Sequence, residues 1–117
     1  MKYIPKLDTI FLTNLQGDAI VDNEKKQMTL TVQSFLIQRL LDNKFGTNAE
    51  SLVTVSQIKK AIENSRDNGS EYIAIETSDW NKLVEVVKVP SSPYNTNIAH
   101  CLVPVINAIL GAKDSVD

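Results

Sequence analysis

The chain has 117 residues, 43% of them hydrophobic and 22% charged, with 12 basic and 14 acidic side chains for a net charge of −2. A domain of this size buries on the order of two-thirds of its unfolded surface, and the balance excludes a disordered chain, which needs fewer apolar residues and a larger charge excess. The single cysteine, Cys101, excludes an intrachain disulfide and a multi-cysteine zinc site and fits a reducing cytoplasm. No basic block exceeds the pairs Lys25–Lys26 and Lys59–Lys60, which disfavours nucleic acid as a partner.

In "MKYIPKLD" the residues Pro5, Lys6 and Asp8 break what would have to be a continuous apolar signal core, so a cleaved secretion signal is not expected. No apolar run approaches the roughly 18 residues of a membrane span. "TIFLTN" (Thr9–Asn14) and "AIV" (Ala19–Val21) are β-favouring, with Gly17 and Asp18 available between them for a turn. They predict a hairpin or one bulged strand. "DNEKKQ" (Asp22–Gln27) is a charged loop. In "TLTVQSFLIQRLLDNKFG", Thr29 or Thr31 supplies a helix cap. Val32, Phe35, Leu36 and Leu40 recur at helical spacing, and Ile37 and Leu41 form a second stripe, so this helix is expected to be buried on more than one side, with Gly46 as its stop.

"SLVTVSQIKKAIENSRDNG" predicts a second helix. Leu52, Val55, Ile58 and Ile62 form its inner face, with Lys59, Lys60 and Glu63 outside and Asn68–Gly69 at its end. "EYIAIET" alternates with the period of a half-buried strand. Thr77 or Ser78 then caps a helix in which Asp79 is favoured by the helix dipole and Trp80, Leu83, Val84 and Val87 form the apolar stripe. That stripe makes the only tryptophan a core residue rather than a ligand platform. "VPSSPYNTN" (Val89–Asn97) reads as a loop, either mobile or ordered by a partner. The last helix carries Ile98, Leu102, Val105, Ile106 and Ile109 on one face, and Pro104 either kinks it or starts it.

The order β-β-α-α-β-α-α predicts a single α+β domain over residues 1–117, a small two- or three-stranded sheet packed against a layer of about four helices.

Catalytic signatures are missing from this pattern. His100 and Cys101 are the only histidine–cysteine constellation, and sequence neighbours on a helix diverge by about 100°. Cys101 therefore reads as a small apolar core residue. No metal-ligand spacing is present, and the four glycines, at 17, 46, 69 and 111, form no phosphate-cradling loop. No enzyme, cofactor or metal site is expected. "VTVSQIKKAIENSRDNG" offers Lys59, Lys60 and Arg66 as a basic face, but a strand pattern follows where a helix-turn-helix needs its second helix. Interaction is what remains. Val103 and Leu110 lie outside the main stripe of the last helix, and Pro93 and Tyr94 lie in the loop beside it, so these four make a candidate interaction surface.

The succession "NLQGDAIVD", "MTLTVQSFLIQRLL", "IKKAIENS", "YIAIETSDWNKLVEVV" and "PYNTNIAHCLVPVINAIL" resembles, in layout, small tailed-bacteriophage and prophage proteins. The resemblance implies a non-enzymatic accessory protein acting by protein–protein interaction in virion assembly, as a head- or tail-associated component. Its partner would be a second copy of itself or a phage or host protein, in the cytoplasm of the host bacterium or in the virion. The alternative is a regulator or inhibitor that binds a host protein or nucleic acid.

Overall fold

The computed structural model describes residues 1–116. The fold is α+β: four helices surround two antiparallel two-stranded ribbons. The central ribbon pairs β1 (Lys2–Pro5) with β4 (Tyr72–Ile75), Lys2 opposite Ile75 and Ile4 opposite Ile73. β1 is missing from the order expected above. Its four residues are short and end at Pro5, and nothing local marks them as a strand. What makes them one is the distant β4 edge, together with Lys113, whose backbone exchanges hydrogen bonds of 2.8 and 3.0 Å with Tyr3. Ile4, Ile73 and Ile75 are fully buried, and α2 and α4 pack against β4 and β1 respectively.

The second ribbon joins β2 (Ile10–Phe11) to β3 (Thr29–Leu30). The expected hairpin forms between them. Thr13 bridges Ala19 across a turn in which the Asn14 side-chain oxygen accepts from the amides of Gln16 and Asp18 and Gly17 adopts φ +90°. The charged loop closes as a second turn of the same kind, with Asp22 accepting from the amides of Glu24 and Lys26. These side-chain bonds stand in for a backbone turn.

Because Thr29 is a strand residue, Thr31 caps α1 (Val32–Leu40), in a reciprocal box with Ser34. Val32, Phe35, Leu36 and Leu40 are buried as expected. Of the second stripe, Ile37 is half-buried against the core, but Leu41 is 72% exposed. The helix ends at Leu40, and Gly46 instead terminates a short 3-10 turn (Asn43–Phe45) at φ +94°. α2 (Ala49–Asp67) is capped by Asn48 and buries Ser51, Thr54, Ile58, Ile62 and Ser65, whereas Leu52 is exposed. Small polar residues let α2 lie close to its neighbours, and Ser65 satisfies its hydroxyl by donating to the Ile62 carbonyl.

α3 (Thr77–Lys88) starts one or two residues earlier than a Thr77 or Ser78 cap would place it. Glu76 occupies the cap position without a side-chain bond, so neither Thr77 nor Ser78 caps the helix. Its buried stripe is Asp79, Leu83, Val86 and Val87, rotated from the expected one, with Trp80 and Val84 half-buried at its edge. α4 (Ala99–Leu110) begins well before Pro104 and runs through it, so the proline does not start the helix. Pro104 is exposed, and it deprives only the His100 carbonyl of its helical donor, on the side where water can reach it.

Trp80 joins these layers. Its indole Nε1 donates to the Ile109 carbonyl at 2.9 Å, and the Lys2 ammonium lies 4.6 Å from its ring centroid while pairing with Asp114 at 2.8 Å. The tryptophan thus fastens α3, the end of α4 and the start of β1 together. Among the described residues, no helix is long and apolar enough to cross a membrane.

Candidate functional site: a groove over Arg39

The loop expected to be mobile or partner-ordered is tied down by its own chain. Asp42 accepts from the Ser91 amide at 2.9 Å, from the Ser91 hydroxyl and from the Lys44 amide at 2.8 Å. The Lys44 ammonium donates to the Val89 carbonyl, and the Tyr94 hydroxyl donates to the Val87 carbonyl at 2.7 Å. The Ser91 hydroxyl, followed by the backbone amides of Lys44 and Ser91, holds the Asp42 carboxyl below the usual carboxylate range.

So anchored, the loop forms one wall of a groove of about 440 Å3 whose other wall is α1 and the end of the second ribbon. Met28, Leu30, Phe35, Pro93, Ile98 and Leu102 make the lining largely apolar. The one charge in it is Arg39. Its guanidinium carbon lies 5.2 Å from the Phe35 ring centroid and 5.0 Å from that of Tyr94, and the two rings stack 5.9 Å apart. The Arg39 Nε is buried and has no hydrogen-bond partner. Burial pushes the Tyr94 hydroxyl above its ordinary value, and the charge of Arg39 and its donors near the phenol oxygen work against that rise. A guanidinium beside two aromatic rings keeps its charge and the donors of its planar fork. Such a groove suits an apolar segment that also presents an acceptor or an anionic group.

The expected interaction surface is only partly assembled. Pro93 and Tyr94 line the groove, but Val103 and Leu110 do not. Val103 is 50% exposed on α4, whereas Leu110 is half-buried against the core, so it is not a free surface residue. Of the basic face, Lys59 pairs with Glu63 at 3.4 Å and Arg66 with Asp67 at 3.5 Å. Two of its three cations therefore already have carboxylate neighbours. His100 Nε2 lies 2.8 Å from the Thr13 hydroxyl and the Cys101 thiol 3.8 Å from the Thr13 carbonyl, so both side chains hold the Leu12–Asn14 segment onto α4. Among the described residues no cluster of three or more His, Cys, Asp or Glu side chains is placed to hold a metal ion.

Sequence reasoning missed Arg39. The signal was present, since Arg39 follows Phe35 by four and so shares its helix face. Tyr94 gave no hint that it would close over the same spot. No protein-family model matches this sequence, and comparison with curated proteins and with solved structures finds no match either.

Proposed function

We propose that the chain is a non-enzymatic interaction protein that docks on another protein chain through the groove over Arg39. Its partner is a second copy or a component of a phage or host assembly, as a resemblance in layout to small tailed-phage proteins would imply. The observation that carries this reading is the buried, unpartnered Arg39 Nε in an otherwise apolar groove. A buried donor without an acceptor is costly, so a groove that keeps one is suited to a partner that supplies the acceptor.

The test is solution mass by light scattering at low and high salt, together with a photo-reactive residue at Met28, which lies on the groove rim and is 45% exposed. A defined oligomer lost in Met28→Arg, or a single partner cross-linked from the Met28 probe and lost when Pro93→Arg is added, supports docking through the groove. A monomer of 13.0 kDa at both salts with no cross-linked product, or an assembly indifferent to Met28→Arg, refutes it.

A further inference from the structure

The segment that ends in β3 pairs along one edge only. The Lys26 carbonyl accepts from the Asp22 amide at 2.9 Å, and the Met28 amide donates to the Ile20 carbonyl at 2.8 Å. The Met28 carbonyl accepts from the Leu12 amide at 2.9 Å, and Leu30 lies opposite Ile10 at the end of the ribbon. Successive residues of an extended strand turn their backbone groups to alternate edges, so Gln27 and Thr29 present theirs on the other side. Among the described residues, neither the amide nor the carbonyl of Gln27 or Thr29 has a hydrogen-bond partner. The free edge stops at Thr31, whose amide donates to the Ser34 hydroxyl and whose carbonyl accepts from the Phe35 amide.

This edge borders the groove over Arg39. Met28, Thr29 and Leu30 all line that groove, and Gln27 and Thr29 are both exposed. Sheet edges left open to solvent are commonly guarded by a charge, a proline or a bulge, and the stretch Gln27–Thr29 carries neither a charge nor a proline. Four open backbone groups beside an apolar trough are what a sheet needs to take up an additional strand. Main-chain bonds then supply affinity, and alternate side chains entering the trough supply specificity. A helix laid in the same groove would leave all four groups to water.

Building on the reading that the groove docks a protein chain, we propose that its occupant is an extended acidic–apolar segment that adds antiparallel to the Gln27–Thr29 edge. Residues facing Gln27 and Thr29 supply the backbone bonds. Residues facing Met28 and Leu30 turn their side chains to the face that those two share. One of them is apolar and packs toward Phe35 and Leu102, and the next is an acid whose carboxylate meets Arg39, the one charged residue of the lining.

The probe is the capped peptide acetyl-TVTDTVT-amide, titrated into the full 15N-labelled chain. Saturable shifts are expected at the amides of Gln27–Leu30 and Phe35–Arg39, and none at Tyr72–Ile75. Methylating the threonine nitrogens, which face β3 in antiparallel pairing, should abolish binding. Methylating the valine and aspartate nitrogens, which face away, should leave it intact. Replacing the peptide's aspartate by asparagine should weaken binding roughly tenfold, the scale of one charge-assisted hydrogen bond. Equal sensitivity to both methylations, or no saturable shift with any of the peptides, overturns the proposal. The docking reading is judged separately, on the partner cross-linked from Met28. A partner lost in Pro93→Arg but kept in Thr29→Pro, which removes one edge donor where an edge strand tolerates proline, would leave docking standing and sink strand addition. Loss in both variants, with the Thr29→Pro chain still giving a folded amide spectrum, supports strand addition.

Discussion

Asp42 and Asp79 are carboxylates placed in opposite environments, and they lead to opposite pH behaviour. Asp42 is held ionised by three hydrogen bonds, so its folded-state pKa lies below the unfolded one. The stability it contributes is present above the ordinary carboxylate range and is lost as pH falls through its depressed value. Asp42→Asn is therefore expected to lower the urea midpoint at pH 7, and the deficit should close as the pH is taken below that range. Asp79 is the reverse case. Its folded pKa is raised, so the native state binds more protons than the unfolded chain between the two values, and stability declines as pH rises through that window. Asp79→Asn should raise the melting temperature at pH 7, with the advantage shrinking as the pH drops through the raised value. An unchanged or lower melting temperature at pH 7 would mean that the buried carboxylate has a partner in solution. Trp80 shows how one side chain can be on an apolar stripe and still act through polar contacts. Its ring covers the core while its N–H and its face engage Ile109 and Lys2.

The helices differ in how strongly local sequence defines them. α1 is only nine residues long and begins at a reciprocal Thr31–Ser34 box, with both bonds at 3.0 Å. A helix that short depends on its cap and on packing, because nucleation is costly and few intrahelical bonds repay it. Thr31→Ala should cost about 0.5–2 kcal/mol in chemical denaturation, the usual range for removing such a cap. A cost near zero would show that packing of Phe35 and Leu36 alone sustains the helix. α3 makes a different point. Its residues allow two overlapping stripes, Trp80-Leu83-Val84-Val87 and Asp79-Leu83-Val86-Val87, and the helix buries the second. Hydrophobicity favours the first, because it holds no charge. In the rotation the helix adopts, Trp80 sits at the stripe's edge, where its Nε1 reaches the Ile109 carbonyl, and Asp79 turns inward.

Across the molecule, one apolar cluster joins β1, β4 and all four helices, from Ile4 through Ile58 and Ile73 to Val105 and Ile109. Its centre is the β1–β4 ribbon, whose partners are far apart in the chain. Ile73→Ala is expected to cost about 2–5 kcal/mol, as buried isoleucine truncations do, and to reduce hydrogen-exchange protection in β1 as well as in β4, because Ile73 lies opposite Ile4. Loss of protection confined to β4 would show that β1 docks independently of the ribbon core. The groove over Arg39 lies at the edge of this cluster, where Phe35 and Leu102 belong to both, and it holds a buried polar atom without a partner, Arg39 Nε.

The α+β class, the four helices, the Ala19–Val21 hairpin and the inward alternation of Ile73 and Ile75 were all legible from the amino-acid order. Each rests on local periodicity or on short-range turn chemistry, which neighbouring residues carry between them. The β1 strand, the rotation of α3, the anchoring of the proline loop and the exposure of Leu41 and Leu52 were not legible. Each depends on surfaces contributed by distant segments: the edge of β4, the turn before α3, Asp42 beneath Ser91, and the limited area of the core that a short chain can present. The same reason hid the candidate site. Arg39 looks like an ordinary surface charge in one dimension. It becomes unusual only where folding removes water from its Nε without bringing a partner.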